Sequence, residues 1–214
     1  MLSKKNCTFV ITLFVSFKIL VTMKELKFTL PILLIFFTLI ANAQITVYTS
    51  YDDYKNKKGI TYEGFQYHTA TNKNFKLLFK SDGKKTVISC KDIWGFTYKK
   101  EYQEGLFRVD RTDNQPCRVL SLGKIVYYEN GGAHLNMLNS YIAEAPIAFG
   151  YFCYLSKDIN SDFVPMPAFL ANKSRQEYKA FKEGNPQYKE LFDCIEKDYD
   201  YKKVRICIEE FEKE

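Results

Sequence analysis

Phe75-Lys-Leu-Leu-Phe-Lys-Ser-Asp-Gly-Lys-Lys-Thr-Val-Ile-Ser-Cys90 decides the fold class. Phe75, Leu77 and Phe79 alternate with Lys76, Leu78 and Lys80, the period of a half-buried strand. Ser81-Asp82-Gly83-Lys84 follows, with the Asp-Gly pair that type I′ hairpin turns favour. The run from Thr86 to Tyr98 then puts Ile88, Cys90, Trp94, Phe96 and Tyr98 on one parity. Asp92 shares that parity, which predicts a bulge near Lys91-Asp92.

The same texture extends to both sides. Upstream, Ile45–Tyr48 and Thr61–Thr69 read as strands. Ser50 followed by Asp53 resembles a capping box and predicts a helical turn over 51–57. Downstream, 105–110, 118–122 and 124–128 read as strands, and Asn130-Gly131-Gly132 as the turn that closes them. A short helix is expected over 133–142, and a last strand over 147–155. Pro165 and Pro167 break the pattern. Helices are then expected over 173–182, stopped by Gly184-Asn185-Pro186, and over 187–199, where Tyr188, Leu191, Phe192, Ile195 and Tyr199 fall at helical spacing. A third piece carries Val204, Ile208 and Phe211; its Val204–Ile208 segment is short enough to read equally as a strand. The fold class is therefore α+β: an antiparallel twisted sheet or partly open β-barrel followed by a C-terminal helical segment.

The N-terminal region reads as an export signal. From Met23, Met-Lys-Glu-Leu-Lys leads into thirteen residues, Phe28 to Ile40, and then Ala41-Asn42-Ala43 before Gln44. A basic start, an apolar middle and a small-x-small exit are the three parts of a secretory signal peptide. A membrane span needs roughly 20 apolar residues. The expected organisation is an over-extended start at 1–22, a signal peptide at 23–43, a β-rich domain at 44–162, and a helical tail at 163–214 packing on the same domain. Membrane association is expected only through an uncleaved leader, and the working location is periplasmic or extracellular.

Charge supports a different partner class from the one that the whole-chain value suggests. The chain has 31 basic and 25 acidic residues. Five lysines and one glutamate fall in residues 1–43, leaving 26 against 24, a net +2. Interspersed charges of both signs keep a surface solvated, and no basic stripe of a nucleic-acid binder is visible. Another envelope protein or a glycan fits better. In an oxidising compartment the five cysteines after the leader, Cys90, Cys117, Cys153, Cys194 and Cys207, can pair, and an odd number leaves one over. A Cys194–Cys207 bridge requires the chain to turn back between them, because their Cα atoms must approach within about 7 Å. Cys90 and Cys153 sit in strand-like runs and read as small buried hydrophobes.

Few residues point to chemistry. Tyrosine is abundant, 16 in all and none in the leader. It suits surfaces that are half wet and half apolar. With the single Trp it suggests a ligand-binding face of Trp94, Phe96, Tyr127, Tyr128 and Tyr151; ordinary strand composition explains the same residues without a ligand. His134 follows Glu129 by five positions, so an imidazole and a carboxylate could form a general-base pair of a hydrolase-like enzyme. His68 has no partner that the sequence names. Asp52-Asp53 and the Glu196, Asp198, Asp200 group lack the spacing of a calcium loop. No metal site and no cofactor are expected, and no nucleophile elbow, phosphate-binding Gly loop or HExxH motif is present.

The leader ending Ala-Asn-Ala before Gln44, with Lys91-Asp-Ile-Trp-Gly-Phe96, Leu106-Phe-Arg108 and Gly123-Lys-Ile-Val-Tyr-Tyr128, resembles uncharacterised secreted proteins of Bacteroidota-type bacteria. The resemblance implies export. It brings no activity and no catalytic residue. The expected function is that of an exported, non-enzymatic binding or structural module using an aromatic face, with the His134/Glu129 hydrolase as the alternative.

Overall fold

Alternation becomes pairing from Gln44 onward. The computed structural model describes residues 43–71, 74–101, 103–140, 153–166, 172–198 and 200–213. The strands are β1 (Gln44–Tyr48), β2 (Ile60–Glu63), β3 (Phe65–Thr71), β4 (Asn74–Ser81), β5 (Lys84–Ser89), β6 (Gly95–Lys100), β7 (Gln103–Val109), β8 (Pro116–Leu122), β9 (Val126–Asn130), β10 (Cys153–Ser156) and β11 (Val164–Pro165). The helices are α1 (Tyr51–Lys55), α2 (Gly131–Ser140), α3 (Asn172–Gly184), α4 (Lys189–Ile195) and α5 (Tyr201–Lys213). Eight strands form an antiparallel sheet in the order β11-β10-β9-β8-β7-β6-β1-β2, and β3-β4-β5 form a second, three-stranded one. Neither closes into a barrel. This is an α+β fold with three of its helices, α3 to α5, at the C-terminus.

The hairpin of the opening stretch forms as its residues dictate. Asp82 and Gly83 have φ of 50° and 77°, the two positive values a type I′ turn requires. The bulge expected near Lys91-Asp92 is instead a full break. A 3-10 turn at Cys90–Asp92 ends β5, and the chain crosses to the large sheet before β6. Asp92 therefore never has to share the buried face of a continuous strand. Gly64 makes the reverse crossing between β2 and β3. Its φ is +70°, and a Cβ there would lie 2.2 Å from the Lys80 carbonyl oxygen. In Trp94-Gly95-Phe96 the glycine admits not a ligand but the neighbouring strand: a Cβ would sit 2.4 Å from the Phe107 carbonyl oxygen.

Asn130-Gly131-Gly132 starts a helix rather than a turn. The Asn130 side-chain oxygen accepts from the backbone N–H groups of Gly132 and Ala133, at 2.9 and 3.4 Å, which satisfies two of the orphan donors of a helix start. Ser50 caps α1 through the Asp53 N–H at 3.1 Å, as its spacing predicted. Of the strand expected over 147–155, the described part is β10 from Cys153; residues 147–152 lie outside the described residues. Val204–Ile208 belongs to the helix α5, not to a strand.

Register places the core. Val47, Phe96, Phe107, Arg118, Glu129 and Cys153 are successive partners across six strands, so they lie in one row on one face. At the β1–β7 end of that face, Ile45, Val47, Phe96, Tyr98 and Phe107 pack against Phe75, Leu77 and Phe79 of the small sheet and Leu135 of α2. At the β9–β10 end, Ile125, Tyr127 and Leu155 pack against Tyr178, Phe192, Val204 and Ile208 of the helical tail. The chain turns back between α4 and α5, and Cys194 and Cys207 are joined with their Cα atoms 5.9 Å apart. Cys90, Cys117 and Cys153 are free thiols. The opposite face buries Tyr48, Trp94, Cys117, Val126 and Tyr128 under Ile159 and Phe163. There Arg108, 2% exposed, donates to the carbonyls of Asn160 (3.3 Å) and Ser161 and lies 4.6 Å from the Phe163 ring centroid.

Candidate functional site

The two apolar cores on the first face are separated by a polar seam, and the row of register partners shows where it falls. Phe107 is the last member of the row in the first core; Arg118 and Glu129 follow, before Cys153 at the second. Glu129 is fully buried. Burying a carboxylate is costly unless it is paired and hydrogen-bonded, and here every acceptor position is filled. Arg205 of α5 grips both oxygens, Nε to Oε1 at 2.7 Å and Nη2 to Oε2 at 2.6 Å. Tyr127 donates its hydroxyl to Oε1 at 2.9 Å. His134 Nε2 lies 2.8 Å from Oε2. A carboxylate offers about four lone-pair sites, so the group is saturated.

The acid–imidazole contact read from the sequence is therefore real in geometry. Glu129 is the penultimate residue of β9 and Asn130, its last, caps α2, so a five-residue separation brings the two side chains together. The second ring nitrogen fixes the tautomer. Arg118 Nη1 lies 3.2 Å from His134 Nδ1. A guanidinium only donates, so Nδ1 accepts and the proton sits on Nε2, donated to Glu129. His134 is 1% exposed.

The electrostatics follow from these contacts. Burial alone would raise the Glu129 carboxyl, but hydrogen bonds from Arg205 and His134, and the charge of the guanidinium, hold it below the ordinary carboxylate range. Burial, with the neighbouring Cys153 and Glu129, pushes the Tyr127 phenol well up. The Cys153 thiol, 3.2 Å from the Tyr127 oxygen, is pushed up to about 12, chiefly by burial. One phenolic proton serves one acceptor, and the carboxylate is the stronger. Cys153 thus stays protonated, which removes the thiolate that nucleophilic chemistry needs.

The proposed aromatic face does not assemble as one surface. Phe96 stacks on Phe107 at 4.9 Å in the first core. Tyr127 belongs to the core under the helical tail. Trp94 and Tyr128 lie on the opposite face of the sheet, both buried, with Trp94 stacked on Tyr54 at 4.9 Å and donating Nε1–H to Asn160 at 3.2 Å. Alternation along the strands sends neighbours to opposite sides, which is why Tyr127 and Tyr128 part. Tyr151 lies outside the described residues. His68 stacks on Phe75 at 4.7 Å, and burial lowers its pKa. Among the described residues, no three His, Cys, Asp or Glu side chains converge as metal ligands, and no helix is long and apolar enough to cross a membrane.

Elsewhere solvent reaches a half-buried tyrosine, Tyr62, packed on the buried Phe79. Where β2 parts from the β4–β5 hairpin, a cleft of about 480 Å³ opens beside Tyr62 and Phe79, whose ring centroids are 5.2 Å apart. Thr61, Glu63, Asp82 and Lys84 line it with polar groups. Its volume lies in the range of small-molecule sites. Sequence reading missed Tyr62 because only the crossing at Gly64 opens that corner.

Comparison with protein-family models, with curated proteins and with solved structures returns no match.

Proposed function

We propose that this chain is an exported, non-enzymatic binding module of the periplasm or cell envelope, and that it receives its ligand or partner segment in the Tyr62/Phe79 cleft. The observation that carries this reading is where the polar groups stand. The acid–imidazole pair has its carboxylate oxygens and both ring nitrogens engaged inside the protein, while the cleft presents hydroxyls, carboxylates and an ammonium to solvent beside the half-buried Tyr62. A general base needs a free lone pair within reach of a substrate proton; a recognition site needs aromatic surface with polar groups around it. Export is supported by the leader-like 23–43 segment and by the Cys194–Cys207 bridge, a bond that persists in oxidising compartments.

The alternative, a hydrolase-like enzyme using His134 and Glu129, is favoured by their 2.8 Å contact. One experiment separates the two. Envelope oligosaccharides and peptides are screened by NMR against the labelled protein, with turnover followed in the same tubes. The binding reading expects a ligand that shifts the resonances of residues 61–63 and 84–86, emerges unchanged, and binds at least about tenfold more weakly to Tyr62→Ala, the loss of one well-buried aromatic contact. Product formation that vanishes in a folded His134→Ala protein would overturn it.

A further inference from the structure

We propose that the cleft takes an extended polypeptide segment of a partner protein, which adds to the open edge of β2 as a further antiparallel strand. Strand addition rests on the reading of the cleft as the recognition site and names what enters it. β2 ends the large sheet: it pairs with β1, and among the described residues no strand lies on its other side. Along a strand bonded on one side only, alternate residues aim both N–H and C=O at the open edge. The cleft is lined by Thr61, Tyr62 and Glu63 in succession. Successive side chains point to opposite faces, so a cavity that touches all three runs along the strand's edge, where those main-chain groups stand. Thr61 and Glu63 turn their side chains onto β1: the Thr61 hydroxyl bonds the Thr46 hydroxyl at 2.9 Å, and the Glu63 carboxylate accepts from the Gln44 amide at 3.1 Å.

This edge lacks the guards carried by others. Protected edges hold lysine or proline, or are cut very short. β11, at the far end of the large sheet, is two residues long and ends in Pro165, and β5, at one end of the small sheet, begins with Lys84-Lys85. β2 is Ile60-Thr61-Tyr62-Glu63, with neither residue type. Ile60 is 58% exposed, the highest value among the exposed large apolar side chains described. Ile60 and Tyr62 are two positions apart, opposite the core residues Val47 and Ile45 of β1, so they stand on one face. An added strand meets both with alternate side chains, which give specificity while its main chain gives affinity.

Charge and shape select the occupant. Exposed Lys57 and Lys58 precede β2, and Glu63 closes it with Asp82 across the cleft. An antiparallel segment matches this edge with a cation at its N-terminal end, opposite Glu63, and an anion at its C-terminal end, beside Lys58. Antiparallel pairing is the more stable kind, and the large sheet is antiparallel throughout. Ser81, Asp82, Lys84 and Thr86 of the β4–β5 hairpin wall the edge and leave a space of about 480 Å³, which suits one extended chain. A second copy of the protein would bring its own hairpin to the same corner. An oligosaccharide offers no row of donors and acceptors at the strand repeat.

The test is NMR titration of the labelled protein, isolated from cells expressing the full chain, with blocked hexapeptides of the pattern Lys-Φ-Thr-Φ-Ser-Glu, where Φ is Val, Leu or Phe. At least one is expected to shift residues 60–63 and to slow amide exchange at alternate members of that strand. N-methylating the two Φ amides, or instead the Thr and Ser amides, is expected to act unequally. One set weakens binding at least about tenfold, because two hydrogen bonds are lost, and the other by far less. Exchanging the terminal charges weakens it about threefold. Tyr62→Ala lowers affinity at least about tenfold and the exposed Ile60→Ser about threefold, while Ile206→Ser, an exposed apolar position on α5, has no effect. Equal effects of the two methylations, or shifts confined to other residues, would overturn the proposal. So would self-association through 60–63 without peptide, which gives the edge to a second copy. If an oligosaccharide shifts 61–63 and no hexapeptide does, strand addition fails and the cleft reading stands; if neither does, both fail.

Discussion

At the scale of residues, Glu129 holds the seam. Replacing it with Gln removes the charge that Arg205 faces. Breaking a buried pair from one side costs about 3–5 kcal/mol, and the lower end is expected because the Arg205 side chain is 36% exposed and can turn to water; urea unfolding measures it. The pH dependence has a definite sign. The native carboxyl titrates below its unfolded value, so its contribution is complete above the unfolded pKa of about 4.3 and is lost as pH falls through the lowered native one. Wild-type protein should therefore lose stability on acidification more steeply than Glu129→Gln, and parallel acid profiles would contradict this. The sequence disclosed half of the cluster. Glu129 and His134 were legible because they flank one strand–helix junction. Arg118 and Arg205 were not: one arrives by strand register and the other from 76 residues downstream. A clue to Arg205 existed in its place next to Val204 and one turn before Ile208 on an amphipathic helix, where a long cation can reach past an apolar face.

At the scale of elements, the α4–α5 pair rests on its disulfide and on the apolar seam beneath. Cys194 and Cys207 close a loop of 13 residues' separation, for which chain-entropy reasoning gives about 3 kcal/mol. Cys194→Ser/Cys207→Ser should lower the thermal midpoint by several degrees without unfolding the sheet, and reductant should have no further effect on that variant. An unchanged midpoint would mean that the bond adds nothing to the packing of Leu191, Phe192, Val204 and Ile208. Hairpin β4–β5 was fully legible because local chemistry specifies it: alternation, an Asp-Gly turn and the return strand. The break at Cys90–Asp92 was not, since parity alone cannot tell a bulge from a change of sheet. Gly131 and Gly132 were misread because glycine favours turns in isolation, whereas here the Asn130 cap recruits both into α2.

At the scale of the whole molecule, one sheet face is covered at one end by the small sheet with α2 and at the other by the helical tail. The Glu129 cluster ties the two coverings, since His134 belongs to α2 and Arg205 to α5. Composition and order of elements made this α+β arrangement readable, but nothing local announced that two cores share a face. The same view supports the proposed function: the interior polar groups are spent on joining the parts, and the proposed recognition site is the surface corner at Tyr62. Export of a binding module is the central claim, and the intact mass and N-terminal sequence of the protein recovered from fractionated cells test it most directly. The account predicts a chain in the extracytoplasmic fraction that begins at Gln44, has one disulfide, and shows three titratable thiols when unfolded. A cytoplasmic chain that retains residues 28–43, or one in which Cys194 and Cys207 are reduced, would contradict it.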